Sequence, residues 1–248
     1  MRCESWKDFF DEHYAFFADA ILTPERTLQE VDALQRMFRE HGLNGRRILD
    51  FGCGQGRIAV PLAQRGYDVT GLDGSAALLE KAQQYADRAG VTMTWVCEDM
   101  RTNALTGPFD AVINMGTAFG YVEDEANEKI MRQWHSLLDD GGILVMDTEN
   151  AEFVLRKRRG HTRHDMKDVT VDSHRSYDKS TKRWREELTW SVEDKVYKKV
   201  LDLRLYTPIE LSDLLRECGF AVEVYGGVDK TRLTEDSARL VLVATKNA

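Results

Sequence analysis

Cysteine, proline and long apolar stretches are scarce in this chain of 248 residues. No apolar run approaches the roughly 20 residues that a membrane span needs, and the first residues contain no apolar core of a secretory signal, so we expect neither. The four cysteines, Cys3, Cys53, Cys97 and Cys218, show no C-x-x-C spacing and no nearby histidine cluster. They favour reduced thiols, a cytoplasmic protein and the absence of a metal site.

Basic residues are fewer than acidic ones, since the chain has 34 Lys and Arg and 42 Asp and Glu, which gives a net charge of −8. This balance weighs against a nucleic-acid surface, so we expect no nucleic-acid partner, although a local basic patch stays open. Apolar residues make up 42% and charged residues 31% of the chain, as in ordinary soluble globular proteins. The length suits one α/β domain with a full core, or at most two small ones.

Three alternating glycines, Gly52, Gly54 and Gly56, follow the apolar stretch Arg47–Phe51 and precede a helix-like segment. A strand that enters a helix through glycines brings bare backbone and a helix N-terminus close to a ligand. Dinucleotide sites use G-x-G-x-x-G, whereas the third glycine position is Arg57 here. The loop therefore predicts a nucleoside-like ligand without the pyrophosphate fingerprint, with a plain strand–helix connection as the alternative.

Strand and helix patterns alternate through the first part of the chain. Apolar runs predict strands at 47–51, 68–72, 93–97, 109–114 and 142–147, and helical periodicity lies at 57–65, 75–89 and 124–138. This order predicts right-handed βαβ units and a mostly parallel, Rossmann-like α/β sheet with helices on both faces. Two later runs, at 220–225 and 239–245, complete seven strands, and we expect the last to be antiparallel.

Polar or acidic residues follow all five early strands, and in a parallel sheet these carboxyl ends share one edge. They are Asp50, Asp73-Gly74-Ser75, Glu98-Asp99-Met100, Asn114-Met115-Gly116 and Asp147. One such residue is ordinarily a helix N-cap, but five at one edge predict a ligand site. Asp73, about 20 residues beyond Gly52, is placed to accept hydrogen bonds from ribose hydroxyls. Asp99 and the backbone of Met100 are placed to recognise adenine.

Two segments lie outside the alternating pattern. Residues 4–20 carry aromatics at helical spacing and predict an amphipathic helix that packs on the body, closes over the ligand, or does both. Extended runs after residue 169 predict an inserted antiparallel meander. We therefore expect one domain over 1–248, with an N-terminal helical lid at about 1–42 and an insertion at about 160–206. The basic run 156–164 favours a solvated loop or helix end over a patch that recruits an acidic substrate.

The ordered motifs resemble those of class I S-adenosylmethionine-dependent methyltransferases over roughly residues 9–246. They are Ile48-Leu-Asp-Phe-Gly-Cys-Gly-Gln-Gly-Arg, Val69-Thr-Gly-Leu-Asp-Gly-Ser, Glu98-Asp-Met-Arg, Phe109-Asp-Ala-Val and Leu137-Leu-Asp-Asp-Gly-Gly-Ile-Leu. The resemblance implies S-adenosyl-L-methionine as cofactor, S-adenosyl-L-homocysteine as product, and an in-line displacement that depends on orientation and needs no metal. It implies that the cofactor contacts Tyr14, Gly52, Cys53, Gly54, Gly56, Asp73, Gly74, Ser75, Asp99, Met100 and Met115.

The segments Gly116-Thr-Ala-Phe-Gly-Tyr and Leu203-Arg-Leu-Tyr-Thr, with the meander, resemble small-molecule methyltransferases, including aminosugar and other N-methyltransferases. The implied acceptor is a small molecule with an N- or O-nucleophile, bound by Tyr121, Asn150, Arg204 and Tyr206. For Arg204 an exposed surface position is equally open. Asn114-Met-Gly-Thr, in place of Asn/Asp-Pro-Pro-Tyr/Phe, disfavours an enzyme that modifies nucleic-acid amines. We expect no membrane partner, and a monomer or homodimer.

The sequence assigns no catalytic base. His135, Asp147, Glu149 and the histidines of the basic run are candidates, and His135, within a helix, is expected to be structural. Functions of other classes stay open. These are an S-adenosylmethionine-binding module that acts through a partner, a methyltransferase that acts on protein or RNA, and, if NAD binds instead, a dehydrogenase.

Overall fold

The computed structural model describes residues 4–11, 14, 22–158, 160–166, 169–192 and 195–247, with the backbone alone at 164 and 166. Its first elements are helix α1 (Ser5–Phe9) and helix α2 (Pro24–Glu40). The Thr23 side chain accepts a hydrogen bond from the Arg26 amide and caps α2, which begins at a proline. Of the helix predicted over 4–20, residues 12–13 and 15–20 lie outside the described residues.

The central elements alternate as the sequence predicts. They are β1 (Arg47–Phe51), α3 (Ala59–Gln64), β2 (Asp68–Asp73), α4 (Ala76–Ala89), β3 (Thr94–Cys97), β4 (Phe109–Asn114), α5 (Asp124–Leu137) and β5 (Leu138–Glu149). The Ser75 hydroxyl caps α4 by accepting from the Leu78 amide, and Gly90, with φ of +69°, ends it. Strand β5 begins directly at the end of α5 and is longer than the predicted 142–147.

The remaining elements contain the insertion and the end of the main sheet. They are α6 (Ala151–Lys157), β6 (Gly160–Met166), β7 (Val169–Asp178), β8 (Arg183–Val192), β9 (Lys195–Arg204), α7 (Pro208–Glu217), β10 (Phe220–Tyr225) and β11 (Arg239–Lys246). Helix α7 begins with a capping box, in which the Thr207 hydroxyl and the Glu210 carboxylate each accept a backbone amide of the other.

Seven strands form the main sheet in the order β10-β11-β5-β4-β1-β2-β3. Neighbouring strands are parallel except that β11 runs antiparallel to both β5 and β10. This confirms the predicted Rossmann-like sheet with an antiparallel last strand. The chain runs from β1 outward to β3 on one side and then continues at β4 on the other side of β1. The carboxyl ends of β1 and β4 therefore flank the point where strand order reverses, which is where ligands bind in such sheets.

Helices cover both faces of the main sheet, because its central strands are apolar on both sides. One face packs Trp134 of α5 and Leu215 of α7 against Phe51, and the other packs Leu34 and Phe38 of α2 against the strands. All five of these side chains are almost fully buried. The two apolar layers fix the strand ends, and hence the geometry of the edge where the polar residues gather.

The insertion is a second, four-stranded antiparallel sheet in the order β6-β7-β8-β9. Three of its strands match the predicted extended runs, but the fourth, β6, lies in the basic run 156–164, where a solvated loop or helix end was expected. That expectation was wrong for residues 160–164. Strand β6 pairs in unbroken register with β7, from Gly160–Arg175 to Met166–Val169, so backbone pairing outweighs the basic composition.

Candidate functional site

A cleft of about 750 Å³ opens at the carboxyl ends of β1 to β4. Its floor is the glycine loop after β1, and its walls come from the ends of β2 and β3, the segment after β4, and the N-terminal aromatics. The mixed apolar and polar lining is typical of small-molecule sites. Of the predicted contacts, those that line the cleft are Tyr14, Gly52, Gly54, Asp73, Gly74, Asp99, Met100, Met115 and Tyr121.

The glycine loop brings its backbone close under the cleft, and at Gly52 there is no room for a side chain. Gly52 has φ of +92°, and a Cβ atom there would lie 2.5 Å from Met100 Cε and 2.7 Å from Ala118 Cβ. Gly54 has φ of +53° and presents its backbone to open space in the cleft. The loop thus brings bare backbone to the ligand, as its sequence predicts.

Asp73 ties the glycine loop to the end of β2. Its Oδ2 atom accepts from the Gly54 amide and its Oδ1 atom from the Ser75 amide, both at 2.8 Å. Burial raises the pKa of the Asp73 carboxyl, and the two backbone donors act in the opposite direction. Because a carboxylate offers about four acceptor positions, two remain for hydroxyl groups of a ligand in the cleft.

At the end of β3, Asp99 and Met100 line the opposite wall. Asp99 is held by Arg101, whose Nε and Nη2 atoms lie 2.9 Å and 2.5 Å from its two oxygens. Burial raises the pKa of Asp99, but the bonds from Arg101 outweigh it and leave the pKa below its usual value. Arg101 also pairs with Glu4 at 2.7 Å, which joins this wall to the N-terminal segment. Arg101 was not among the predicted site residues, although it is adjacent to the predicted contact Met100.

Aromatic side chains close one end of the cleft. The Trp6 ring lies over Gly74, where a Cβ atom would approach Trp6 Cζ3 to 2.9 Å. Phe10 packs edge-on against Tyr14 at 4.8 Å and against Tyr121 at 5.1 Å between ring centroids. Burial raises the pKa of both tyrosines further above the ordinary value of about 10, so their hydroxyls stay protonated well beyond neutral pH. Trp6 belongs to the helix predicted over 4–20, for which packing on the body, closing over the ligand, or both were expected, and it lines the cleft.

The segment after β4 contains Thr117, a β-branched residue with φ of +68°, which costs on the order of 1–3 kcal/mol. Thr117 lines the cleft, as does Met115. It was not predicted as a site residue, because threonine does not signal a positive φ in a sequence.

Asp50 is buried beneath the glycine loop. Burial raises the pKa of its carboxyl to about 7, against the effect of Arg57. Its Oδ2 atom has no hydrogen-bond partner in the described part of the chain. Arg57 is in turn held by Glu30 of α2, at 2.5 Å.

Three predicted cofactor contacts shape the cleft without lining it. Cys53 is buried and lies beside Gly71, Gly56 packs against Ala82 and Trp95, and Ser75 caps α4 while its hydroxyl donates to the Phe10 carbonyl at 2.6 Å.

Three of the four predicted acceptor contacts lie away from the cleft. The Arg204 guanidinium is buried, donates to Asp124 at 3.1 Å and stacks on the Tyr206 ring at 4.3 Å. The Tyr206 hydroxyl accepts from Asn127 at 3.0 Å beneath the cleft wall. Asn150 caps α6 and donates to the Ser237 carbonyl. Arg204 and Tyr206 hold α5, β9 and the start of α7 together, and Asn150 joins α6 to the segment before β11.

The candidate bases are likewise engaged elsewhere. His135 packs against Phe220 at 5.1 Å, and His161 stacks on His174 in the second sheet. Asp147 and Glu149 are both held by Arg239. None of these four candidates lines the cleft, and the side chain of His164 lies outside the described residues.

Two negative findings apply to the described ranges. They contain no group of three or more His, Cys, Asp and Glu side chains that could hold a metal ion. They also contain no helix that is long and apolar enough to span a membrane.

Comparisons with known proteins agree with this cleft. A family profile described as a methyltransferase domain matches residues 48–142. The chain is 28% identical over 228 residues to a glycine/sarcosine N-methyltransferase of Aphanothece halophytica, covering 90% of this chain and 83% of the relative. With three further relatives the match is shorter, since this chain covers 57%, 56% and 46% of their own length.

Solved structures share the whole fold. An S-adenosylmethionine-dependent methyltransferase from Clostridium acetobutylicum superposes with a TM-score of 0.85 at 14% identity, over 95% of this chain and 98% of that one. A SAM-bound amino pentose methyltransferase from Micromonospora echinaspora gives 0.70 at 24% identity, over 88% and 91%. The family profile, the curated relative and the shared fold support a class I S-adenosylmethionine-dependent methyltransferase, with S-adenosylmethionine as the methyl donor.

Proposed function

We propose that this protein transfers the methyl group of S-adenosylmethionine to the nitrogen of a small-molecule amine that binds in its neutral form. The similarity to enzymes named for glycine, sarcosine and an amino pentose supports a small amine acceptor. The observation that carries the proposal is the chemistry of the cleft lining, whose described residues offer hydrogen bonds and aromatic surface but no suitable base.

The donor end has the groups that an adenosyl ligand requires. In this proposal Asp73 accepts hydrogen bonds from the two ribose hydroxyls, and Asp99 with the backbone of Met100 recognises the adenine edge, which their places in the cleft lining support. Gly52 and Gly54 leave room for the methionyl part beside their backbone. When bound, S-adenosylmethionine supplies a methyl group that is already activated on a sulfonium. The residues of this chain then need to orient the acceptor and exclude water.

Within the described cleft lining, the ionisable side chains are Tyr14, Asp73, Asp99 and Tyr121. Both aspartates are engaged at the donor end. Both tyrosines are neutral near pH 7, as tyrosine ordinarily is, and burial raises their pKa further. A hydroxyl acceptor would require a base to remove its proton. An amine has a fraction of neutral molecules near pH 8 and can enter with its lone pair free. This favours N-methylation over O-methylation.

The test is methyl transfer from labelled S-adenosylmethionine to matched pairs of amine and alcohol. Glycine is paired with glycolate, and glucosamine with glucose, while sarcosine tests a secondary amine. We expect transfer to at least one amine and to neither alcohol. The logarithm of kcat/KM should rise with a slope of about one per pH unit up to the pKa of the acceptor ammonium, because the neutral form alone attacks.

Transfer to glycolate or glucose would contradict the N-acceptor. Tight binding of S-adenosylhomocysteine without transfer to any probe would instead favour a binding module that acts through a partner. A profile that stays flat below the ammonium pKa would show that the chain itself removes the proton.

A further inference from the structure

Two consecutive residues after β4, Gly116 and Thr117, both have φ of +68°. Glycine adopts this left-handed conformation freely, but a β-branched residue seldom does, because its Cβ substituents crowd the backbone. Such a conformation persists where surrounding contacts over-determine it, and it concentrates at ligand sites.

Asp147 at the end of β5 imposes the conformation. Its Oδ2 atom accepts from the Gly116 amide at 3.1 Å, and its backbone carbonyl accepts from the Thr117 amide at 3.0 Å. Asp147 is itself fixed by Arg239, whose Nε and Nη2 atoms each lie 2.8 Å from its oxygens. A further bond holds this turn, because the Tyr121 hydroxyl donates to the Thr117 carbonyl at 2.7 Å.

These contacts use the backbone amide and carbonyl of Thr117 but not its side chain. Thr117 is 9% exposed and lines the cleft, and its Oγ1 atom is buried without a hydrogen-bond partner within the described residues. A buried hydroxyl in this state loses its bonds to water and gains nothing in exchange. The bond from Tyr121, whose ring packs on Phe10, places Thr117 beside the aromatic end of the cleft.

We propose that the Thr117 hydroxyl binds and orients the acceptor amine during methyl transfer. This inference rests on the proposed N-methylation. Oγ1 accepts a hydrogen bond from an N–H of the neutral amine, which turns the nitrogen lone pair toward the methyl group. A bond forms between nitrogen and the methyl carbon as the bond between carbon and sulfur breaks, and its electron pair stays on sulfur. The new ammonium gives up its extra proton to water after it leaves the cleft.

Three substitutions at Thr117 distinguish the effect of its hydroxyl from the effect of its strained backbone conformation. Thr117→Val keeps the branched shape and the strain without the hydroxyl, Thr117→Ser keeps the hydroxyl, and Thr117→Gly removes both. We expect kcat/KM for the amine methylated by the wild type to fall at least tenfold in the Val and Gly variants. The Ser variant should stay within about threefold. Thr117→Gly should also unfold at a higher temperature than the wild type, because its backbone favours this φ.

Thr189→Val in β8 is the matched control, since Thr189 lies in the second sheet, away from the cleft. The Kd of S-adenosylhomocysteine should be unchanged in all four variants. Two results would overturn the role of Thr117 but leave the proposed function standing. They are wild-type kinetics in Thr117→Val, or a loss of S-adenosylhomocysteine affinity in that variant as large as its loss of activity. A wild type that methylates no amine would overturn the proposed function, and this inference with it.

Discussion

Asp73 joins two parts of the cleft through one carboxylate. Its two oxygens hold the amides of Gly54 and Ser75, so the side chain orders the glycine loop before any ligand binds. The same oxygens have lone pairs left for ribose hydroxyls. Loss of the carboxylate should therefore remove both direct bonds to the donor and the order of the loop that the donor contacts.

We expect Asp73→Ala to weaken S-adenosylhomocysteine binding about 30-fold or more, corresponding to ~2 kcal/mol from lost charge-assisted hydrogen bonds. Titration calorimetry measures this directly. Asp73→Asn retains one acceptor oxygen and should give a smaller loss. Asp110→Ala is the matched control, because Asp110 also accepts a backbone amide, that of Arg47, at the amino end of β1. Equal affinities for wild type and Asp73→Ala would remove Asp73 from the donor site.

At the scale of elements, α1 is held by contacts from three sides. The Lys199 ammonium of β9 bonds the Asp11 carboxylate and the Asp8 carbonyl. Ser75 bonds the carbonyl of Phe10, and Arg101 pairs with Glu4. Since Trp6 and Phe10 form one wall of the cleft, these contacts hold that wall in place.

Lys199→Met should keep the apolar stem and release the α1 segment from β9. We predict that the dissociation rate of S-adenosylhomocysteine, measured by stopped-flow displacement, rises several-fold. Lys198→Met is the control, because the Lys198 ammonium pairs with Glu187 at 2.8 Å and is exposed. If both variants release the product at the wild-type rate, the bond from Lys199 does not hold the wall in place.

At the scale of the molecule, the second sheet is attached to the main body by both polar and apolar contacts. Arg183 of β8 donates to the Val122 carbonyl at 3.0 Å, and Arg204 bonds Asp124 of α5. Trp184 of the second sheet and Val154 of α6 share one buried cluster. Contacts of this kind favour joint unfolding of the two sheets, which is what a single domain over 1–248 predicts.

We predict one calorimetric transition for the whole chain. S-adenosylhomocysteine at 100 times its Kd should stabilise the folded state by about 2.7 kcal/mol. For a chain of this size the midpoint then rises by roughly 5–11 °C. Two transitions, of which the ligand shifts one, would divide the chain into independent units and contradict the single domain.

Arg204 and residues 160–164 of the basic run differ in the structure from what their sequence predicts. Alternation along β9 separates its two faces, but it does not say which face another element covers. Arg204 was expected over the cleft and is instead buried where α5, β9 and α7 meet. Residues 160–164 have the composition of a solvated loop, yet β7 supplies a complete set of backbone partners.

The sequence by itself determined the parallel sheet, its order of elements, and the glycine loop with Asp73 at the strand ends. These follow from apolar periodicity and short-range spacing, which a chain carries locally, and from the rule that parallel strands end at one edge. Only the tertiary structure decided the aromatic wall, the burial of Arg204 away from the cleft and the backbone conformation of Thr117. The φ of Thr117 is set by Asp147, 30 residues further along, and its hydroxyl has no partner among the described residues because the fold encloses it. Such contacts join distant parts of the chain, and no local pattern encodes them.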